Sequence, residues 1–199
     1  MSEVTNIVIA GVGGQGTILA SRLLGQIAMD SGLDIKVSEV HGMSQRGGSV
    51  ITYVRFGEKV YSPLVEEGEA DFLIAFEPLE AVRWLPMLKK NGTIITNTGK
   101  IEPSTVLSGR AIYPTDIVER LKSIKEIKVY EIDALKIAKD VDFIRAANVA
   151  LMGAFAAVSN LSYESFIKSL EIILNGRSIK ENMLAFEKGY ESVKNYEIL

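Results

Sequence analysis

A glycine-rich segment between an apolar run and a helical pattern constrains the fold of this chain more than any other feature. Residues 6–10 are mostly apolar, as in a strand that is buried on both faces of a sheet. The sequence Gly-Val-Gly-Gly-Gln-Gly follows at residues 11–16, and apolar residues then recur at helical spacing over residues 17–31. A strand, a glycine turn and a helix in this order predict the first unit of a Rossmann-like α/β domain.

The remainder of the chain predicts a single domain over residues 1–199, with a mainly parallel sheet, helices on both faces and a helical C-terminal third. Gly57 and Glu58 suggest a turn that pairs the preceding strand with a short strand at residues 59–62, which gives one hairpin. Pro86 is expected to break or kink a helix predicted over residues 77–90. The other predicted strands are residues 34–40, 49–56, 71–76, 93–98 and 128–132, with a turn at residues 91–92, and the predicted C-terminal helices are residues 143–159, 162–174 and 178–196.

The glycine segment is suited to holding an anion. Its backbone N–H groups and the positive end of the following helix favour a phosphate, and the glycines allow the backbone to approach that ligand closely. Alternatively, the glycines only permit a tight turn and close packing of the helix on the sheet. The residues that we predict to bind a phosphate-bearing cofactor are Gly11, Gly13, Gly14, Gln15, Gly16 and Thr17.

Acidic and amide residues lie at or just after the ends of several predicted strands, at the carboxyl edge of the predicted sheet. Glu39 lies 23 residues after Gly16, where a dinucleotide site would place the acidic residue that holds the ribose. Glu77 is interpreted as an acidic residue at the start of a helix, stabilised by the helix dipole, rather than as a general base. Asn97 and Thr98 are interpreted as turn residues. Because of Glu39, a nicotinamide dinucleotide site remains one possible interpretation of the glycine segment.

A second polar segment, His-Gly-Met-Ser-Gln-Arg-Gly-Gly, occupies residues 41–48. If the first two strands are parallel neighbours, it lies at the same carboxyl edge of the sheet as the glycine segment, where open α/β folds bind ligands. Arg46 is then a candidate clamp for a carboxylate or phosphate, and His41 a candidate hydrogen-bonding group; they are the only candidate catalytic residues. The alternative is a solvated loop. The residues that we predict to contact substrate or a partner are Ser44, Gln45, Arg46, Gly47 and Gly48.

Composition excludes several classes of chemistry. The chain has no cysteine and one histidine, so it cannot by itself supply a disulfide, a thiolate nucleophile, a Cys-ligated zinc or iron–sulfur site, or a His-rich metal site. We therefore predict no metal site. The formal net charge of −3 gives no general attraction to nucleic acid or anionic lipid. With no signal-peptide pattern and no apolar stretch of membrane-spanning length, we expect a cytoplasmic protein with neither nucleic-acid nor membrane partners.

The two polar segments together resemble the gamma-type domain of the 2-oxoacid:ferredoxin oxidoreductases. The resemblance joins residues 11–16 with residues 41–49, and the second of these favours the indolepyruvate branch of that family. It continues through Gly-Glu-Ala-Asp at residues 68–71 and Glu-Pro-Leu-Glu-Ala at residues 77–81. It also includes Asn148, Leu151, Gly153 and Ala154, and so spans most of the chain.

The resemblance implies a subunit that is inactive alone. Complexes of this family decarboxylate a 2-oxo acid with thiamine diphosphate and Mg²⁺, transfer the acyl group to coenzyme A and pass two electrons through iron–sulfur clusters to ferredoxin. In the indolepyruvate branch the substrate is an arylpyruvate, and a large alpha subunit holds the thiamine diphosphate and the clusters. This chain, which lacks cysteine, would be the small gamma-like partner of that alpha subunit and would bind none of these cofactors alone.

A different class of protein remains open from the residues themselves. In that reading the chain is a free-standing NAD(P)-dependent oxidoreductase, in which residues 11–16 bind the pyrophosphate and Glu39 binds the ribose. A third reading is an assembly protein without any ligand. Binding of NADH or NADPH to the chain would distinguish the first of these from the subunit.

Overall fold

A computed structural model describes residues 4–42 and 47–194 of the chain. The strands are β1 (Thr5–Val12), β2 (Asp34–His41), β3 (Ser49–Gly57), β4 (Ala70–Ala75), β5 (Leu88–Asn97) and β6 (Lys128–Ile132). The helices are α1 (Thr17–Asp30), α2 (Pro78–Arg83), α3 (Ser104–Leu107), α4 (Ile117–Lys122), α5 (Ala134–Asp140), α6 (Ala147–Val158), α7 (Tyr163–Leu174) and α8 (Ile179–Lys194).

All six strands form one sheet in the order β2-β3-β1-β4-β5-β6. The pairs β1–β4, β4–β5 and β5–β6 are parallel, whereas β3 is antiparallel to both of its neighbours. Helices cover both faces, so the predicted α/β class with a mostly parallel sheet is confirmed. The condition that the first two strands are neighbours is not met, because β3 lies between β1 and β2. Two antiparallel steps nevertheless make β2 run in the same direction as β1, so both strands end at the same edge.

The described residues contain one hairpin, as predicted, but at a different place. It is formed by β2 and β3, which pair from Asp34↔Gly57 to His41↔Val50. Residues 59–62 are not a strand, because β2 already occupies the outer edge of β3. Instead, the Val60 backbone N–H donates to Asp34 Oδ2 (2.9 Å), and the Arg55 guanidinium donates to the Ser62 carbonyl (3.0 Å). The segment after β3 is thus held against the sheet by side chains rather than by strand pairing.

The helix predicted over residues 77–90 is much shorter. Helix α2 ends at Arg83, a 3₁₀ turn follows at Leu85–Met87, and β5 begins at Leu88. Pro86 stops the helix because it has no N–H to donate and its ring clashes with the preceding turn. The turn expected at residues 91–92 is an irregularity inside β5, where Asn91 has φ 62°.

Helix α5 is not among the helices predicted from the sequence. Helix α5 follows β6 directly, and its start is capped by Asp133, whose carboxylate accepts a hydrogen bond from the Lys136 backbone N–H (2.9 Å). The helix expected from residue 143 begins instead with a 3₁₀ turn at Ile144–Ala146, which leads into α6. The other two predicted C-terminal helices correspond to α7 and α8.

Each face of the sheet has its own apolar core. Helices α1 and α5–α8 pack on one face, and α2 and α4 pack on the other. The backbones of α6 and α8 come into direct contact, because both have a glycine at the crossing. A Cβ atom on Gly153 would lie 2.0 Å from the Phe186 carbonyl oxygen, and one on Gly189 would lie 1.9 Å from that of Ala150. The close approach at Gly153 is therefore made by another helix of the same chain.

The α6–α8 contact makes the helical third a tightly packed unit. Phe155, Phe166 and Phe186 are fully buried within it, and the Phe166 ring forms an edge contact with Phe155 and a tilted contact with Phe186. Within residues 4–42 and 47–194, none of the helices combines the length and hydrophobicity needed to cross a bilayer.

Candidate functional site

A cleft of about 570 Å³ lies over the carboxyl ends of β1, β4, β5 and β6. This is the edge at which open α/β sheets bind ligands. The cleft is bounded by the glycine turn after β1, the segment after β5, the start of α5 and the start of α6. Its lining residues are Gly14, Gln15, Gly16, Phe76, Asn97, Gly99, Lys100, Ile101, Ala134, Leu135, Ile144, Arg145, Ala147, Asn148 and Leu151.

The glycine turn adopts a conformation that requires glycine at two positions. Gly14 has φ 99° and Gly16 has φ 91°, in the left-handed region that side chains disfavour. A Cβ atom on Gly16 would also lie 2.2 Å from Asn148 Nδ2 in α6. The turn therefore fits closely against the first turn of α6, which also lines the cleft.

The side chain of Gln15 holds the turn in place from inside. Its Oε1 accepts a hydrogen bond from the Val12 backbone N–H (2.7 Å), and its Nε2 donates to the Phe76 carbonyl oxygen (3.0 Å). The same carbonyl accepts a second hydrogen bond from Asn97 Nδ2 (3.2 Å), and Asn97 Oδ1 accepts from the Ala134 backbone N–H (3.2 Å). Gln15 and Asn97 thus tie together the ends of β1, β4 and β5 and the start of α5, with both ends of each amide used within the protein.

Gly11, Gly13 and Thr17, the other predicted residues of this segment, each have a different environment. Gly11 belongs to β1, and a Cβ atom there would meet Gln15, Phe76 and Thr17 at 3.0–3.2 Å, so it serves packing. The Gly13 backbone N–H donates to the Gly48 carbonyl (2.9 Å), and the Thr17 side chain is 6% exposed at the start of α1. The part of the turn that faces the cleft is therefore centred on Gly14 and Gly16.

Several backbone N–H groups of this turn are available to hydrogen-bond a ligand. Within the described parts of the chain, no acceptor bonds to the backbone N–H groups of Gly14, Gly16 and Thr17. These groups lie at the positive end of the 14-residue helix α1, whose first turn contains no acidic residue. Free N–H donors and a helix dipole at the rim of a cleft favour an anionic group, which is the chemistry predicted for this segment.

The second polar segment shares the edge but not the cleft. Gly48 is bonded to Gly13, as described above, which places the end of the segment beside the glycine turn. His41 is exposed at the end of β2, and its pairing through Val50 to Gly11 puts it about 10 Å across the sheet from β1. Neither His41 nor the described glycines of the segment line the cleft. Ser44, Gln45 and Arg46 lie outside the described residues.

Glu39 is not placed to hold a ribose beside the glycine turn. It is an exposed residue of β2, two strands away from β1, and it lies opposite Thr52 of β3. In a dinucleotide-binding domain the acidic residue ends the strand next to β1. Insertion of β3 between these strands therefore removes the arrangement that the alternative reading requires.

Besides Asn97, which was interpreted as a turn residue, three polar residues of the cleft were not identified as site residues from the sequence. Lys100 follows β5, Arg145 lies in the 3₁₀ turn before α6, and Asn148 is in the first turn of α6. The Lys100 ammonium lies 5.5 Å from the centre of the Tyr113 ring. The position of Lys100 just past a strand end was a usable signal, whereas the position of Arg145 depends on how the helical third packs on the sheet.

Glu77 is a buried structural carboxylate beside the cleft. It is 1% exposed, and its Oε2 accepts from the Leu79 and Glu80 backbone N–H groups at 2.7 and 3.1 Å, which caps α2. Its Oε1 accepts from the Ile101 backbone N–H (3.3 Å) and from the Tyr113 hydroxyl. The interpretation of Glu77 as a helix-starting acid is confirmed. The same carboxylate also ties down both ends of the segment 101–113.

Ionisation of Tyr113 is expected to lower the stability of the protein at alkaline pH. Burial, and then the hydrogen bond and negative charge of Glu77, raise the pKa of the Tyr113 hydroxyl above its ordinary range. Because the folded state holds this proton more tightly than the unfolded state, its contribution is complete below about pH 10 and is lost as the pH rises further. Denaturant titrations from pH 8 to 11 should show the wild type losing up to about 1.4 kcal/mol per pH unit more than Tyr113→Phe. Parallel curves for the two proteins would contradict this.

Among the residues that the structure describes, no group of three or more His, Cys, Asp or Glu side chains is arranged to hold a metal ion. The described polar groups of the cleft are amides and cations, which suit an anionic ligand rather than a cation.

Comparisons with known proteins identify relatives over nearly the whole chain. The family model for pyruvate ferredoxin/flavodoxin oxidoreductase matches residues 6–192. The indolepyruvate oxidoreductase subunit IorB of Thermococcus kodakarensis is 45% identical over 195 residues, which cover 95% of this chain and 96% of that protein. The gamma subunit of a keto/oxoacid ferredoxin oxidoreductase from Geobacter sulfurreducens superposes with a TM-score of 0.71 at 21% identity, covering 96% of this chain and 99% of that one.

A larger structural neighbour contains the same fold as one part. The 2-oxoglutarate:ferredoxin oxidoreductase of Magnetococcus marinus, solved with 2-oxoglutarate, coenzyme A and succinyl-CoA bound, superposes with a TM-score of 0.77 at 20% identity. The superposition covers 98% of this chain but 32% of that chain. The fold described here is therefore found both as a separate subunit and within a longer polypeptide.

Proposed function

Since this chain belongs to the pyruvate ferredoxin/flavodoxin oxidoreductase family, we propose that it is the small, gamma-like subunit of an indolepyruvate:ferredoxin oxidoreductase and forms one domain. The observation that carries the proposal is the 45% identity to an indolepyruvate oxidoreductase subunit over 95% of the chain. The complex would convert an arylpyruvate and coenzyme A into an arylacetyl-CoA and CO₂. The two electrons released in that oxidation would reduce ferredoxin.

The catalytic groups of this reaction are assigned to a large partner subunit. Thiamine diphosphate with Mg²⁺ supplies the carbanion chemistry of decarboxylation, and iron–sulfur clusters carry the electrons. The residues of this chain do not fit either group, because it has no cysteine for a cluster, and its described residues include no cluster of carboxylates and imidazoles for a metal. The small subunit is therefore expected to be inactive alone and to contribute binding surface to the complex.

The cleft is the part of this chain that we assign to a ligand. Free N–H groups at Gly14, Gly16 and Thr17, together with Lys100, which also lines the cleft, suit a phosphate group. Coenzyme A is the phosphate-bearing reactant of the proposed reaction, and the Magnetococcus marinus enzyme was solved with it bound. This chain would hold the phosphates of coenzyme A and orient it, while the partner subunit supplies the acyl group.

Co-expression with the large subunit tests the assignment. The two chains should purify as a stable complex that reduces ferredoxin in the presence of an arylpyruvate and coenzyme A, and neither chain should do so alone. A small subunit that stays separate and adds nothing to the activity of the large one would contradict the proposal. Micromolar binding of NADH or NADPH to the small subunit would instead support a free-standing dehydrogenase.

Gly16→Ala is expected to weaken binding of coenzyme A to the complex by at least about tenfold, because the new methyl group would displace Asn148 and move the turn that carries the N–H donors. Gly32→Ala is the matched control. Gly32 also has a positive φ, of 71°, but a Cβ atom there would meet nothing within 4 Å. Both variants carry backbone strain, so only the difference between them reports on the turn. Calorimetric titration with coenzyme A measures it, and equal affinities for the two variants would assign the glycine to folding alone.

A further inference from the structure

A second cavity, of about 430 Å³, adjoins the cleft beyond Asn148. It lies between the start of α6 and the turn that joins α7 to α8. Arg145 and Asn148 line both cavities, so the two lie side by side, and together they are called the groove. The groove extends from Lys100 past the glycine turn to Arg177, and the remaining residues of its far end are Leu19, Phe143, Leu174, Ser178 and Asn182.

The groove has charge of one sign. Its described lining residues include three cations, Lys100, Arg145 and Arg177, and no aspartate or glutamate. In the parts of the chain that the structure describes, these three side chains form no ion pair. The protein as a whole has a formal net charge of −3. Three unpaired cations along one concave surface of an acidic protein favour a ligand with more than one anionic group.

Arg177 is carried by a turn that is held in an unfavourable backbone conformation. Asn175 and Ser178 have φ values of 47° and 44°, in the left-handed region that non-glycine residues seldom occupy. Asn182, which is 4% exposed, fixes the turn by donating from its side-chain Nδ2 (2.8 Å) and its backbone N–H (3.1 Å) to the Ser178 carbonyl. Such strain persists where surrounding structure enforces it, and it is concentrated at ligand-binding positions. Here it fixes the backbone that carries Arg177, which lines the end of the groove.

We propose that Arg145 and Arg177 form a second anionic subsite, which binds a phosphate of the same ligand whose other phosphates bind at the glycine turn. The inference rests on the proposed function, and for coenzyme A the second group would be the 3′-phosphate of its ribose. A guanidinium offers paired N–H donors that match two oxygens of a phosphate. The small subunit would thereby select coenzyme A over forms that lack this phosphate.

The test compares coenzyme A with 3′-dephospho-coenzyme A, using the co-expressed complex and calorimetric titration. Wild-type complex should bind coenzyme A about tenfold more tightly than the dephospho form. Arg177→Ala should remove this preference, weakening coenzyme A by about tenfold and leaving the dephospho form unchanged. Lys180→Ala, which removes an exposed cation outside the groove, should leave both affinities unchanged.

The possible outcomes separate the two proposals. Equal affinity of the wild type for both compounds, or equal weakening of both by Arg177→Ala, would overturn the second subsite while leaving a coenzyme A site at the glycine turn. Failure of the wild-type complex to bind coenzyme A at all would overturn that site as well. Because Arg177 is exposed, its replacement should not change the thermal midpoint, so unfolding does not obscure the comparison.

Discussion

Gly189→Ala is expected to lower the free energy of unfolding by about 3 kcal/mol, the upper end of the usual cost of overpacking. The new Cβ atom would lie 1.9 Å from the Ala150 carbonyl oxygen, a contact with backbone that a change of rotamer cannot relieve. Helices α6 and α8 would have to move apart and lose part of their shared packing. Gly153→Ala should behave in the same way, since its Cβ atom would lie 2.0 Å from the Phe186 carbonyl.

Gly25→Ala is the matched control for this prediction. Gly25 also lies inside a helix, but the nearest atom to a new Cβ would be Ile35 Cδ1 at 3.9 Å, an ordinary contact. Alanine favours the helical conformation, so this variant should gain about 0.5–1 kcal/mol. Urea denaturation of the three variants measures the differences. If Gly189→Ala is as stable as the wild type, the two helices do not touch through their backbones.

Glu77→Ala should lower the free energy of unfolding by about 3 kcal/mol, because the buried carboxylate accepts several hydrogen bonds at once. Its removal takes away the cap of α2, worth about 1 kcal/mol, and leaves the Tyr113 hydroxyl buried without an acceptor, which costs about 1–3 kcal/mol. It also frees the Ile101 backbone N–H, and Ile101 lines the cleft next to Lys100. Both stability and binding at the cleft should therefore fall.

Asp133→Ala provides the comparison for Glu77. Asp133 also caps a helix, but it does so from the surface and through a single hydrogen bond, to the Lys136 backbone N–H. Its loss should cost only about 1 kcal/mol. Chemical denaturation and coenzyme A titration of both variants test the difference. Equal losses of stability would mean that Glu77 acts only as a cap and does not hold the rim of the cleft.

The local part of the fold was predictable from sequence. Hydrophobic periodicity and turn chemistry act over short stretches of sequence. They predicted the apolar run before residue 11 and the first helix, which correspond to β1 and α1, and the glycine turn between them. The outcome at Pro86 follows from the missing N–H of proline. Helix α5 was missed although Asp133 and the residues after it carry a recognisable capping signal.

Strand order was not predictable in the same way. A turn at Gly57-Glu58 and a hairpin between β2 and β3 both agree with the local sequence, and the choice depends on which edge of β3 is free in the folded sheet. The position of β3 between β1 and β2 in turn decides that Glu39 and His41 lie away from the cleft. Long-range pairing, rather than any local property of these residues, therefore determined which candidates reached the site.

The site was predicted in part. The glycine turn was located and its exposed N–H groups follow from backbone conformation, but the sequence pattern does not show that the Gln15 side chain is occupied inside the protein. Lys100, Arg145 and Arg177 approach one groove only because α6, α7 and α8 pack on the sheet. Such convergence of residues that are far apart in sequence is a property of tertiary structure.

The carbonyl oxygen of Phe76 has a consequence for the thermodynamics of binding. It accepts hydrogen bonds from Gln15 and Asn97 without any ligand, so the glycine turn and the end of β5 are ordered during folding. Fixing the backbone of one residue costs about 1–2 kcal/mol of conformational entropy. An anion that binds to this turn does not have to meet that cost for the loop, so more of its contact energy appears as affinity.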